Sequence, residues 1–357
     1  MKQIAPNSVI GIVGGGQLGR MLATAAVELG YRVHIYAPEE NPPASQAAWR
    51  TTTAPYEDEA ALTAFAQSVD VVTFEFENIP HTSLALLEEL VPVNPSPELL
   101  KISQNRLREK NFINAQEIPT ANYHRVSTEE ELARAAQKIG FPSILKTAEF
   151  GYDGKGQVSV NNAEELAAAW EKLSSVECVL EQKIPFTMEI SVIVARGLNG
   201  QQACYVPVQN IHKNHILDTT IAPAPINREL IHEARHIALT LSKAADLRGL
   251  LAVEMFVTTE NKILVNELAP RPHNSGHWTM DGAITSQFEQ HIRAICGLPL
   301  GSTESLCEVT MKNLIGDEVN QWEDYLKQPH AKLHLYGKSE ARAGRKMGHV
   351  NLLKAQF

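Results

Sequence analysis

Glu254 and Glu267 flank a short Asn-containing turn in the run Ala252-Val-Glu-Met-Phe-Val-Thr-Thr-Glu-Asn-Lys-Ile-Leu-Val-Asn-Glu-Leu-Ala269. A two-residue hairpin turn at Glu260 and Asn261 sets Thr259 against Lys262, and counting back along both strands sets Glu254 opposite Glu267. The two Cβ atoms would then lie about 5 Å apart. At an effective dielectric of 20 the like charges repel by roughly 3 kcal/mol. A hard dication between the oxygens offsets that repulsion, and Mg²⁺ held by one or two carboxylates and substrate phosphates is the usual arrangement in phosphoryl-transfer sites. The pair alone reads equally as two glutamates on a solvated hairpin. Its surroundings favour chemistry: Asn266 precedes Glu267, and Arg271, His273, Asn274 and His277 follow within the loop Ala269-Pro-Arg-Pro-His-Asn-Ser-Gly-His-Trp278.

Two glycine loops add phosphate-binding capacity. Gly14-Gly-Gly-Gln-Leu-Gly19 matches G-x-G-x-x-G between a strand and a helix, where backbone amides can receive a phosphate. A dinucleotide site also wants an acid at the end of the second strand, and Tyr36-Ala37-Pro38 stands there, with Glu39 and Glu40 arriving late. A mononucleotide phosphate fits better; tight packing of helix on strand is the structural alternative. Gly151-Tyr-Asp-Gly-Lys-Gly-Gln157 follows a strand bearing Lys146. Its glycines allow a flap to close over phosphates while Lys146 supplies a positive charge. It lacks the ending of a Walker loop, and by itself could be a hairpin turn.

The elements that must position these groups follow from periodicity. Val9–Val13, a helix over Gln17–Leu29 and Arg32–Tyr36 make a βαβ start to a parallel sheet, with a further strand at Asp70–Phe74 and a helix at Thr82–Leu90. Three prolines in Val91–Pro97 mark a boundary. A long polar helix is expected over Glu98–Gln116. Thr128 and Glu131 form a capping box for a helix ending at Ile139, followed by strands Ser143–Thr147 and Gln157–Val160, a helix over Asn162–Leu173 and a strand Cys178–Gln182. This small α+β unit could move as a lid. Strands at Thr187–Arg196, Ala203–Gln209, Leu250–Thr258 and Lys262–Leu268 predict a larger antiparallel sheet, with helices over Arg228–Ala245 and Ser286–Cys296. The last fifty residues read as short strands, among them Lys332–Tyr336, ending in a basic turn.

The 357 residues exceed one ordinary core and suggest two or three subdomains. With 44% apolar and 20% charged residues and no apolar run of the length a membrane span needs, a soluble cytoplasmic protein is expected. The net charge of −9 argues against a nucleic-acid surface. Cys178, Cys204, Cys296 and Cys307 have no zinc-like spacing and read as buried thiols.

Gln17-Leu-Gly-Arg-Met21, Phe74-Glu-Phe-Glu-Asn78, Gly151–Gln157, Asn266-Glu-Leu-Ala-Pro-Arg271 with His273-Asn-Ser-Gly-His-Trp278, and Gly344-Arg-Lys-Met-Gly-His349 appear in order. Together they resemble the 5-(carboxyamino)imidazole ribonucleotide synthase family, the ATP-grasp carboxylases of purine biosynthesis. The resemblance implies an α/β and α+β chain with the ATP-grasp fold: a Rossmann-like N-terminal domain (1–97), an ATP-grasp domain (98–300) with a lid over about 120–185, and a short β-rich C-terminal domain (301–357). It also implies ATP-dependent carboxylation of aminoimidazole ribonucleotide by bicarbonate through carboxyphosphate, with Mg²⁺ or Mn²⁺, a homodimer, and product passed to the mutase of the pathway.

Carried over by motif, ATP would be held by Arg106, Lys146, the loop residues Gly151, Tyr152, Asp153, Gly154, Lys155, Gly156 and Gln157, the hinge Glu181-Gln182-Lys183-Ile184, Glu189, His212, Asn266 and Glu267. Glu254 and Glu267 would bind the metal. Gly15, Gly16, Gln17 and Leu18, with Lys338, Arg345 and Lys346, would gather around the ribonucleotide phosphate, and Glu75, Tyr152 and Asn274 would line that substrate. Arg271 is expected on bicarbonate or carboxyphosphate, since its fork matches planar oxygens. His273 is expected as an acid/base group, and Lys346 as a catalytic companion. Rival readings are another ATP-grasp ligase, such as a formate-dependent transformylase or a biotin carboxylase, a nicotinamide oxidoreductase, and a nucleotide-binding regulator without chemistry.

Overall fold

The computed structural model describes residues 3–149, 151, 156–173 and 176–354. Its N-terminal unit is a four-stranded parallel sheet in the order β3-β2-β1-β4, from β1 (Val9–Val13), β2 (Arg32–Ala37), β3 (Arg50–Thr53) and β4 (Val71–Phe74). Every residue of β1 and β4 is buried, as expected where helices cover both faces of a parallel sheet. Helix α1 (Gln17–Glu28) links β1 to β2, while α2 (Glu59–Ala66) and α3 (His81–Glu88) flank β4. Strand β3 and helix α2 have too short or too weak a pattern to be read from sequence.

The expected long helix is two. Helix α4 (Pro97–Ser103) stops at Gln104, and α5 (Arg106–Asn114) restarts with Asn105 as its cap, accepting from the amides of Leu107 and Arg108. An Asn that serves its own backbone in this way competes with helix continuation. After the break, α5 sets Arg106 beside Glu267, Glu109 under the Leu268 amide and Lys110 against Glu181.

Strands β5 (Tyr123–Val126), β6 (Ser143–Thr147), β7 (Gln157–Val160) and β8 (Cys178–Gln182) form an antiparallel sheet in the order β5-β8-β6-β7. Helices α6 (Glu129–Ile139) and α7 (Leu166–Lys172) cover it around a core of Val126, Leu132, Leu145, Trp170 and Leu180. Thr128 caps α6 by accepting from the Glu131 amide, while the Glu131 carboxylate reaches back to the Ser127 amide.

A nine-stranded antiparallel sheet forms the body: β9 (Phe186–Arg196), β10 (Gln202–Cys204), β11 (Val208–Lys213), β12 (Ile216–Ala222), β13 (Gly249–Thr258), β14 (Ile263–Ala269), β15 (Val309–Ile315), β16 (Ala331–Leu335) and β17 (Lys346–Leu353). Their order is β14-β13-β9-β11-β12-β15-β17-β16, with β10 also on β9. The single strand expected over Ala203–Gln209 is thus two, parted around Pro207, which has no amide to give a ladder. The C-terminal strands continue this sheet through β12 and β15. Helix α8 (Arg228–Ala244) packs on one face, Ala234 and Leu241 against Val192 and Val253. Short α9 (Thr279–Gly282) and α10 (Gln287–Ile295) follow β14, and α11 (Trp322–Leu326) precedes β16. Phe288, Ile292 and Ile295 of α10 share a core with Leu22 and Ala26 of α1, which fastens the N-terminal unit to the body.

Cys178, Cys204 and Cys296 are buried thiols and Cys307 is half-buried. Among the described residues no helix is long and apolar enough to cross a membrane.

Candidate active site

Glu254 lies directly opposite Glu267, though by a different route from the one the turn suggested. Met255, Phe256 and Val257 pair with Val265, Leu264 and Ile263, so the turn holds three residues, Thr259, Glu260 and Asn261, the last at φ 58°. That count alone would set Asn266 against Glu254. A bulge between Glu254 and Met255 adds one residue on β14 and brings Glu267 into the position instead. Burial, and after it the charge of Glu267, push the Glu254 carboxyl above the usual carboxylate range. Among the described residues no cluster of three or more His, Cys, Asp or Glu could hold a metal ion. Two carboxylate ligands completed by phosphate oxygens and water is what Mg²⁺ accepts, so the donor set fits.

Positive charge in surplus lies next to this pair. Lys146 Nζ is 2.8 Å from Glu181 Oε2 and Lys110 Nζ is 3.3 Å from Glu181 Oε1, with all three side chains buried. Burial raises the Glu181 carboxyl, but Lys146 and Lys110 more than reverse this, down to about 2. One carboxylate shared between two lysines leaves a net positive charge that a polyphosphate would neutralise. Arg106 adds a third cation: it donates to the Gly151 carbonyl at 3.2 Å and stands 3.8 Å from Glu267. Gly156 adopts φ 69°, and its carbonyl accepts from the Thr147 amide. A Cβ there would come within 2.6 Å of Thr147 Oγ1, so the position needs glycine. Tyr152, Asp153, Gly154 and Lys155, expected on ATP, lie outside the described residues.

At the hinge, the Gln182 amide donates to Asn122 O and the Lys183 amide to Pro142 O, while Ile184 is half-buried. Glu189 and His212 meet at 2.6 Å. Burial lowers the His212 pKa, and Glu189 outweighs it, so the net direction is up.

The first glycine loop is engaged by a protein carboxylate. Gly16 N donates to Glu75 Oε1 at 2.8 Å and Gly19 N to Glu75 Oε2 at 3.3 Å. A carboxylate at a helix N-terminus is favoured for the same reason a phosphate is. Among Gly15, Gly16, Gln17 and Leu18, the Gly16 amide therefore has a partner, and Glu75 is buried against the loop. Lys338, whose Nζ donates to Lys346 O at 2.7 Å, is drawn down to about 8, first by burial and then by Arg345, with Glu75 opposing. Arg345 donates to the Glu340 carbonyl at 2.9 Å.

Between the two ends stands Arg271, paired to Glu77 at 2.6 Å. Its charge also acts on Glu75 and His273, and that of Lys346 acts on Lys338, His212 and His273. Asn274 and Asn313 exchange two amide hydrogen bonds, at 3.1 and 2.6 Å, which anchors the loop to β15. Glu77, Lys110 and Glu109 were not legible as site residues. Glu109 Oε1 accepts from the Leu268 amide at 2.6 Å and so braces the backbone beside Glu267. The i, i+4 spacing of Arg106 and Lys110 was the available signal.

Three family models match in tandem: a ribonucleotide synthetase preATP-grasp domain over residues 8–104, an ATP-grasp domain over 111–288 and a phosphoribosylaminoimidazole carboxylase C-terminal domain over 309–356. The chain is 45% identical to an N5-carboxyaminoimidazole ribonucleotide synthase of Bacillus subtilis, across 98% of this chain and 93% of that one. It is 47% identical to a bifunctional purine synthesis protein of Dictyostelium discoideum, matching 97% of this chain but only 37% of that longer protein. The Aspergillus clavatus N5-carboxyaminoimidazole synthase, crystallised with ADP and 5-aminoimidazole ribonucleotide, superposes with a TM-score of 0.92 at 32% identity, covering 98% and 94% of the two chains.

Proposed function

The chain belongs to the N5-carboxyaminoimidazole ribonucleotide synthase family of ATP-grasp ligases, and we propose that it carboxylates the exocyclic amine of 5-aminoimidazole ribonucleotide with bicarbonate while ATP is cleaved to ADP and phosphate. The observation that carries this reading is Arg271. It sits between the Lys146, Lys110 and Arg106 cations beside the paired glutamates and the Glu75–Lys338 end, and its charge acts on Glu75, Glu77 and His273.

Bicarbonate is too weak an electrophile for an aromatic amine. A bicarbonate oxygen held by Arg271 attacks the γ-phosphorus, ADP leaves, and carboxyphosphate forms. Lys146 and Arg106 stabilise the charge that spreads over the transferring phosphoryl group. Bound at Glu254 and Glu267, Mg²⁺ would supply further charge neutralisation at the phosphate oxygens. Carboxyphosphate then separates into CO₂ and phosphate, the amine attacks the carbon, and the freed phosphate takes the amine proton.

The remaining assignments are proposals of the same reading. Gly151–Gln157, the hinge 181–184, Glu189, His212 and Asn266 surround ATP, with Mn²⁺ an alternative metal. Gly15–Leu18, Glu75, Asn274, Lys338, Arg345 and Lys346 serve the ribonucleotide. Domain limits at 97 and 300, a lid over about 120–185, a cytoplasmic homodimer and transfer of product to a mutase complete it. The test is ADP release from Mg-ATP with ribonucleotide and bicarbonate omitted in turn. Release that requires the ribonucleotide and rises with bicarbonate is expected; hydrolysis indifferent to both would reject the acceptor assignment.

A further inference from the structure

A chain of buried hydrogen bonds crosses the large sheet and ends on Glu254. Thr220 Oγ1 is 3.1 Å from Asn210 Oδ1, and Asn210 Nδ2 donates to Ser191 Oγ at 3.0 Å. Ser191 Oγ meets Ser275 Oγ at 2.7 Å, Ser275 Oγ meets His273 Nδ1 at 2.8 Å, and His273 Nε2 lies 3.2 Å from Glu254 Oε1. Thr220, Ser191 and Ser275 have no exposed surface. The sheet register makes the path possible: Ser191 on β9 pairs with Glu254 on β13, and Asn210 on β11 pairs with Thr220 on β12.

The chain has a direction. The Ser275 backbone N–H, which can only donate, points at His273 Nδ1 at 3.3 Å. The Ser275 hydroxyl donates there too, because its oxygen receives the Ser191 proton and Ser191 receives the Asn210 amide. Nδ1 is therefore the acceptor, and the ring proton sits on Nε2, facing Glu254.

We propose that His273 is a positioning residue, which donates Nε2–H to Glu254 and holds that carboxylate turned toward Glu267, with Ser275, Ser191, Asn210 and Thr220 locking the tautomer. The proposal rests on Glu254 and Glu267 being the metal carboxylates. Both ring nitrogens are committed in this arrangement, so His273 offers no lone pair to the amine proton, and the released phosphate is left as its acceptor. Partners that orient metal ligands are worth about 10- to 100-fold in metal affinity.

The test compares His273→Gln, which keeps an N–H able to reach Glu254, with His273→Leu, which does not. Mn²⁺ binding in the presence of ADP is read from the electron paramagnetic resonance of the free ion, alongside turnover at saturating metal. The glutamine variant is expected within about threefold of the unaltered protein in Mn²⁺ affinity and turnover, and the leucine variant about 10- to 100-fold weaker in Mn²⁺ binding. Wild-type Mn²⁺ affinity in both variants, with turnover lost in both, would overturn the proposal in favour of a proton-transfer role. If the leucine variant does not fold, a glutamine variant more than tenfold weaker in Mn²⁺ overturns it alone. Unaltered protein that binds no Mn²⁺ with ADP would instead reject the metal site beneath it, while ribonucleotide-dependent ADP release tests the reaction separately.

Discussion

Arg271 Nη2 lies 2.6 Å from Glu77 Oε1, so the guanidinium proposed for bicarbonate is held by a carboxylate of the N-terminal unit. Glu77 and Glu75 are two residues apart on the connector after β4. Each occupies an anion-recognising group: Glu75 the amides of Gly16 and Gly19, Glu77 the fork of Arg271. Gln104, in the break between α4 and α5, donates to the carbonyls of both Glu77 and Ile79 and fixes the connector's course. A ribonucleotide that docks on Glu75 thus touches the same short segment that restrains Arg271.

Glu77→Gln weakens that restraint without removing the side chain. The pair is partly solvated, at 17% and 34% side-chain exposure, so about 1 kcal/mol is at stake, or roughly fivefold. We expect the Michaelis constant for bicarbonate to fall by about that factor, and ADP release without ribonucleotide to rise. A higher constant for bicarbonate, measured by coupled ADP assay, would mean that Glu77 aligns Arg271 rather than competing for it.

Glu267→Gln removes one of two opposed charges. Glu254 is raised first by burial and second by the Glu267 charge; without metal the substitution relieves only the second, so the apo protein should unfold at the same or a slightly higher temperature. Turnover should fall by about 100-fold or more at fixed Mg²⁺, in line with the weight of charge stabilisation in phosphoryl transfer. A melting curve beside a Mg²⁺ titration separates these effects, and unaltered Mg²⁺ dependence would remove Glu267 from the metal site.

The opposed glutamates were legible because strand period and turn length nearly determine register. The count reached the right pairing through two compensating departures, a three-residue turn and a bulge at the far end, neither of which has a signal in single-residue types. Strands such as Ser143–Thr147 and Cys178–Gln182 emerged with the expected limits because apolar runs bounded by turn residues are local. Glu77 and Lys110 stayed hidden for the opposite reason: their partners, Arg271 and Glu181, are far away in the chain. The role of Glu75 as anion on the glycine loop was hidden too, since G-x-G-x-x-G states what the amides can bind and not which anion arrives.

Lys338 gives a pH signature. Burial, then Arg345, with Lys346 adding and Glu75 opposing, lowers its pKa to about 8, and only the charged form attracts a phosphate. Below about pH 8 the ammonium is present, and above it the free protein loses it. The profile of kcat/KM for the ribonucleotide, which reports the free enzyme, should decline above about pH 8. Lys338→Arg should flatten that decline, because a guanidinium stays charged throughout. A wild-type profile flat to pH 9.5 would remove Lys338 from phosphate binding.

Glu181 gives the corresponding stability test. It is the shared counter-charge of Lys146 and Lys110, with 3% of its surface exposed, and removing one partner from a buried ion cluster costs about 3–5 kcal/mol. Glu181→Gln should lower the urea midpoint at pH 7 accordingly. Its folded carboxyl lies near 2 against a reference of 4.5, so the stabilisation is fully present above pH 4.5 and lost as pH falls toward 2. The gap between wild type and variant should therefore narrow through that window. ATP raises the midpoint of any form that binds it, so the test is the difference: because the variant leaves two buried ammoniums without their carboxylate, added ATP should raise its midpoint more than that of wild type, and an equal rise in both would separate the triphosphate from Lys146 and Lys110.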